Sequence, residues 1–73
     1  MIVNLEVLRA VVRSLISTAI GVPELLERLW PILLEADDGA HELVESIEDL
    51  LALHAASSID DMGLRHGLTM MTT

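Results

Sequence analysis

The chain has 73 residues, of which 52% are apolar, and 12 acidic residues against 4 basic ones give it a formal net charge of −8. It contains no cysteine, which excludes disulfide frameworks, thiol nucleophiles and cysteine-ligated metal centres. Four arginines and no lysine are too few for a surface that neutralises a phosphate backbone, so we expect no nucleic-acid binding.

The length indicates one helical domain over residues 1–73, and a domain this small buries only about 60% of the surface of its unfolded chain. Small scaffolds usually need a disulfide, a metal or a second subunit. The apolar content therefore predicts a homo-oligomer, most simply a dimer. No stretch without Asp, Glu, Lys or Arg before the tail is longer than the ten residues of 14–23, whereas a bilayer span needs about 20. We therefore expect no membrane association and a cytoplasmic protein.

The first predicted helix covers about residues 4–20, with Asn4 as its N-cap and Gly21 just past its end. Apolar residues recur at spacings of three and four and spread over most of its circumference, which indicates burial on two sides. A second subunit would provide that cover. The expected oligomer interface consists of Leu8, Val11, Val12, Leu15 and Ile16.

The second predicted helix covers residues 23–36, and Pro23 suits its first turn. Pro31 lies in the interior, where it removes a hydrogen bond and costs about 3 kcal/mol. The segment is therefore either one kinked helix, which we favour, or two short helices. Trp30, the only aromatic residue, is either a core residue or an interface residue.

Two further helices are predicted over residues 40–55 and 59–66. Asp38 is the expected N-cap of the longer one, Ser58 caps the shorter one in a capping-box pattern with Asp61, and Gly67 ends it. Residues 68–73 are expected to form a frayed tail. Without any strand pattern, the fold class is all-α: a small antiparallel bundle of three main helices plus a short C-terminal helix, completed by oligomerisation.

Charge is distributed unevenly along the chain. Residues 1–34 carry three acidic and three basic side chains, whereas residues 35–61 carry nine acidic side chains and no basic one. Four of these acids lie at helical spacings on the third predicted helix: Glu42, Glu45, Glu48 and Asp49. They form a solubilising surface, a docking face for a basic partner, or an imitation of a nucleic-acid backbone.

His41 and Glu45 have the i, i+4 spacing that places two zinc ligands on one helix face, with Glu42 between them. A catalytic centre needs a third ligand, and the only other histidines are His54 and His66. An exposed polar face at a helix start is the more common meaning of this pattern. For His54, which falls on the apolar side of its helix, a position at the core edge is more common than a role as a pH sensor.

These patterns predict a non-enzymatic protein-protein interaction module, a small accessory or regulatory subunit without cofactor, metal or catalytic residues. It would self-associate through its apolar N-terminal helix and bind a partner, possibly one with a basic surface, through its acidic C-terminal half. The expected partner-binding residues are Glu42, Glu45, Asp49 and Trp30. The alternatives are a nucleic-acid-mimicking inhibitor of a DNA-binding protein and a metal-dependent hydrolase that uses His41, Glu42 and Glu45.

Overall fold

The computed structural model describes residues 3–72, and this part of the chain is all-α. Its elements are α1 (Leu5–Ser17), α2 (Val22–Leu34), a 3₁₀ helix (Asp38–Ala40), α3 (His41–Ala55) and α4 (Asp61–Met71). The four α-helices pack as a small bundle measuring 30 × 23 × 21 Å. The predicted all-α class is confirmed for the described residues.

The N-cap of α1 is the predicted one, because the side chain of Asn4 accepts a hydrogen bond of 2.9 Å from the amide of Val7. The predicted C-terminal end is wrong. The helix stops at Ser17, and the backbone of Thr18 is extended. The amide and hydroxyl of Thr18 both donate to the carbonyl of Ser14, which satisfies an acceptor of the last turn. Gly21 precedes the next helix as its N-cap rather than ending this one.

The second helix is continuous from Val22 to Leu34, with Pro31 inside it. The prediction of one helix rather than two is therefore confirmed. Pro31 is exposed, so water can reach the backbone carbonyl that its missing N–H leaves without a helical donor. Pro23 lies in the first turn, where no donor is needed.

The turn after α2 is tied to the start of the chain. The amide of Val3 donates to the carbonyl of Glu35 at 3.2 Å, and the amide of Asp37 donates to the carbonyl of Val3 at 2.8 Å. The side chain of Asp37, not that of Asp38, then caps the 3₁₀ helix by accepting from the amide of Ala40. The prediction of Asp38 as a cap is wrong because an extra 3₁₀ turn precedes α3.

The connection from α3 to α4 is a Schellman motif. Ser57 adopts a positive φ of 61°, its amide donates to the carbonyl of His54, and the amide of Ser58 donates to the carbonyl of Leu53. Asp60 caps α4, because its side chain accepts a 2.7 Å hydrogen bond from the amide of Gly63. The predicted cap at Ser58 is wrong, because Ser58 still belongs to the turn that closes α3 and α4 begins only at Asp61.

The last helix is longer than predicted and includes most of the expected tail. It continues to Met71, and Leu68 and Thr72 are both buried. The prediction of a frayed tail over residues 68–73 is therefore wrong for residues 68–72, and Thr73 lies outside the described residues. Gly67 does not end the helix. A Cβ atom at Gly67 would lie 2.7 Å from Cδ2 of Leu50, so glycine permits a close approach of α4 to α3.

The core is formed by the inward residues of all four helices, and α1 is covered by its own chain. It packs on α2, on α4 and on the 3₁₀ helix, while α3 packs mainly on α4. The fully buried large side chains of the helices are Leu8, Val12, Leu25, Leu29, Ile47, Leu64 and Leu68. Arg65 also links α4 to the α1–α2 connection by donating to the carbonyl of Ile20.

Candidate interaction surfaces

The acidic side chains of α3 point away from the core and form one surface. We use the name acidic face for Glu42, Glu45, Glu48 and Asp49, all of which are exposed. At 100° per residue, Glu42, Glu45 and Asp49 fall within about 60° of arc. The one ion pair that the described residues give this face joins His41 Nε2 to Glu45 Oε1 at 3.2 Å. The carboxylates of the acidic face therefore repel one another, and in the described residues His41 is the one side chain that forms an ion pair with any of them.

The His41–Glu45 pair shows that the predicted zinc-like spacing does bring two side chains together. Both are about two-thirds exposed. Among residues 3–72, no group of three histidine, aspartate or glutamate side chains is arranged to hold a metal ion. The described residues thus provide no third ligand for the hydrolase alternative, and His41 and Glu45 form an ordinary i, i+4 pair on a helix surface.

The residues of the expected oligomer interface are divided between the core and its edge. Leu8 and Val12 are almost fully buried within a single chain. Val11, Leu15 and Ile16 are half-buried, and the last two pack against the same core. The reason is that α1 lies against both α2 and α4, so its apolar circumference is already covered on more than one side.

Trp30 lies on α2, apart from the acidic face. Its exposed fraction is 44%, and Leu34, one turn later on the same side, is 84% exposed. The half-buried Leu26 precedes Trp30 by one turn. Trp30 and the residues Glu42, Glu45 and Asp49 therefore lie on two different helices, α2 and α3, which are not among the pairs that pack extensively.

Sequence patterns missed one polar contact. Nε2 of His54 lies 2.8 Å from Oδ1 of Asp61, so the end of α3 is joined to the start of α4. Because these residues flank a turn, no helical spacing rule relates them. A signal existed in the favourable placement of a histidine near a helix C-terminus and an aspartate near a helix N-terminus.

The His54–Asp61 pair lines an open cleft of about 600 Å³ together with Ser57 and Ser58. Serine, histidine and aspartate are the side chains of a nucleophilic triad. In the described part of the chain, however, no hydrogen bond joins either serine hydroxyl to His54. What the structure shows of the pair is a contact that joins the end of α3 to the start of α4.

None of the helices in residues 3–72 combines the length and the apolar character needed to cross a bilayer. No protein-family model, curated protein or solved structure matches the chain.

Proposed function

We propose that this protein is a non-enzymatic interaction module, a small cytoplasmic accessory subunit whose acidic face binds a basic protein partner. The observation that carries the proposal is the exposure of four carboxylates on one side of α3 with only His41 paired to them. Like charges at i, i+3 and i, i+4 destabilise an isolated helix by a few tenths of a kcal/mol per pair. A basic partner would turn this repulsion into attraction and would associate faster because of it.

The acidic face suits a protein partner because an apolar side chain adjoins it. Leu53 lies one turn after Asp49 on α3 and is 47% exposed. Specific protein interfaces combine an apolar centre with a polar rim. A partner that presents arginine or lysine beside an apolar residue would therefore find both kinds of contact on α3.

The proposal is tested by capturing the partner on immobilised protein, identifying it by mass spectrometry, and measuring its binding to two triple variants. The first variant, Glu42→Gln, Glu45→Gln and Asp49→Asn, neutralises the acidic face. The second removes the same amount of charge elsewhere, at Glu6, Glu27 and Glu35, which are exposed and belong to other elements. The control variant therefore has the same net charge as the acidic-face variant.

We expect the acidic-face variant to bind at least about tenfold more weakly, mainly through slower association, and the control to bind nearly as well as the unaltered chain. Equal effects of the two variants would mean that only bulk charge matters and would contradict the proposal. Competition by duplex DNA for the same partner would instead assign the protein as a nucleic-acid mimic that blocks a DNA-binding protein, because both anions would then occupy one site.

A further inference from the structure

We infer that the cleft between α1 and α3 binds a small zwitterion, an α-amino acid with an apolar side chain. This α1–α3 cleft has a volume of about 620 Å³, within the usual range for small-molecule sites. Its lining side chains come from α1, the 3₁₀ helix, α3 and α4, and six of them decide its chemistry: Leu5, Arg9, Asp38, Glu42, Leu43 and Met71. Such a site is a function beyond partner binding, because it takes a small molecule and needs no protein partner.

The floor of the α1–α3 cleft is apolar. Leu43 is buried, and Leu5 and Met71 are half-buried and pack against the core. These three side chains belong to α3, α1 and α4, so the floor exists only in the folded chain. Pockets for small ligands combine such an apolar surface with a few charged groups that fix the orientation of the ligand.

Side chains of opposite charge line the same cleft without pairing. Arg9 lies on α1, whereas Asp38 and Glu42 lie on the 3₁₀ helix and in the first turn of α3. All three are exposed, and within the described residues Arg9 forms no ion pair with either carboxylate. A guanidinium and two carboxylates that stay apart are available to a ligand that carries both a carboxylate and an ammonium group.

Backbone contacts hold the two sides of the α1–α3 cleft together. The amide of Val3 donates to the carbonyl of Glu35, and the amide of Asp37 donates to the carbonyl of Val3. Helix α1 begins at Leu5, two residues after Val3, and the 3₁₀ helix begins at Asp38, directly after Asp37. The backbone on both sides is therefore already in place, and a ligand has to order only side chains.

The charges of the α1–α3 cleft favour a ligand without net charge. The chain carries a charge of −8, so a simple anion is repelled by the molecule as a whole. A simple cation is attracted by Asp38 and Glu42 but leaves Arg9 without a partner. An α-amino acid satisfies all three groups: its carboxylate faces Arg9, its ammonium faces the two acids, and its side chain covers the floor.

The test adds L-leucine and three analogues to the full chain labelled with ¹³C in its methionine methyl groups. N-acetyl-L-leucine lacks the ammonium charge, L-leucinamide lacks the carboxylate, and glycine lacks the apolar side chain. The NMR signal of the Met71 methyl group reports binding, because Met71 lines the α1–α3 cleft. Met62 and Met70 are exposed and do not line it, so their signals provide an internal reference.

Two variants, each with a matched control, identify the charged groups that bind the amino acid. Arg9→Gln removes the guanidinium of the cleft, and Arg13→Gln removes an exposed one from the next turn of α1, outside the cleft. Glu42→Gln removes a carboxylate of the cleft, and Glu45→Gln removes an exposed one of α3 that does not line it. Circular dichroism checks that all four variants are folded.

We expect L-leucine to shift the Met71 signal with a Kd of about 1 mM, as suits a ligand of this size, and to leave Met62 and Met70 unchanged. Each of the three analogues should bind at least about tenfold more weakly, because each lacks one of the contacts. Arg9→Gln and Glu42→Gln should weaken leucine binding at least about tenfold, and Arg13→Gln and Glu45→Gln should leave it within about twofold.

A Met71 signal that does not move at about 20 mM L-leucine, far above the expected Kd, overturns the inference. So does L-leucinamide that binds as tightly as L-leucine, because Arg9 would then have no part in binding. Equal shifts of Met62, Met70 and Met71 would show unspecific binding and overturn it as well. Partner binding to the acidic face is measured without any amino acid, so either proposal can fail alone.

Discussion

At the scale of single residues, Ser57 adopts a conformation that its side chain disfavours. It is the one non-glycine residue with positive φ in the described part of the chain, and it occupies the position of the Schellman motif at which glycine is most common. A Cβ atom in the left-handed region costs about 1–2 kcal/mol, which the greater flexibility of an unfolded glycine partly offsets. We expect Ser57→Gly to raise the free energy of unfolding by about 0.5–1 kcal/mol in urea titrations.

Ser58→Gly provides the matched control for Ser57→Gly. Ser58 is the next residue in the same turn, is also exposed, and has no positive φ. Glycine there only increases the freedom of the unfolded chain, so we expect this variant to be less stable than the original by a few tenths of a kcal/mol. If both variants change stability in the same direction, the strain assigned to Ser57 is absent.

At the scale of the helices, Pro31 is the clearest departure from good helix design. It lies inside α2 and is exposed, so alanine at this position would restore a backbone hydrogen bond without altering the core. We expect Pro31→Ala to raise the free energy of unfolding by about 1–3 kcal/mol with an unchanged urea m-value. Pro23→Ala is the control. Because Pro23 occupies the first turn, its replacement should change stability little or lower it slightly.

Helices α1, α2 and α3 were predictable because each has a strong apolar period and its own local signals, such as the N-cap Asn4 and the proline Pro23. The last helix was not, because its extent depends on tertiary contacts. From the sequence alone, Gly67 is expected to end the helix, yet in the structure it lies against Leu50 of α3 inside the helix. Burial of Leu68 and Thr72 extends the helix past it and overrides a weak local propensity.

The candidate surfaces were predictable to different degrees. The acidic face follows from helical spacing alone, since Glu42, Glu45 and Asp49 are close in sequence and fall on one side of one helix. The His54–Asp61 contact and the position of Trp30 relative to the acidic face depend on how different helices pack. The spacing of residues within one helix does not show how that helix packs on another. The sequence alone could therefore not place Trp30 relative to the acidic residues of α3.

At the scale of the whole molecule, one chain covers more apolar surface than its length suggests. The expectation that α1 needs a second subunit assumed that one chain of this size could cover it on one side only. The β-bridge between Val3 and Ala36 holds the chain start against the end of α2, and α4 covers α1 from another direction. The large apolar side chains that remain exposed in residues 3–36 are Trp30 and Leu34 of α2.

The charge of the whole molecule leads to a last prediction, on salt. The nine acids of residues 35–61 have no arginine or lysine among them, and in the described structure their ion pairs are formed with His41 and His54 alone. The carboxylates of the acidic face on α3 have no arginine or lysine partner in the described structure, so they repel one another. Three pairs on α3, Glu42–Glu45, Glu45–Glu48 and Glu45–Asp49, have i, i+3 or i, i+4 spacing and together cost about 1 kcal/mol.

Salt should therefore stabilise the folded chain, since ions screen charges beyond about 8 Å at physiological ionic strength and more closely at higher ionic strength. We expect the free energy of unfolding in urea at pH 8 to rise by about 1 kcal/mol between about 20 mM and about 500 mM NaCl. In the Glu42→Gln, Glu45→Gln, Asp49→Asn variant the same titration should be nearly flat, because the like-charge pairs on α3 are gone. A stability that falls with salt in the unaltered chain would show that attraction outweighs repulsion in the fold, and the acidic face would then have no excess charge available for a basic partner.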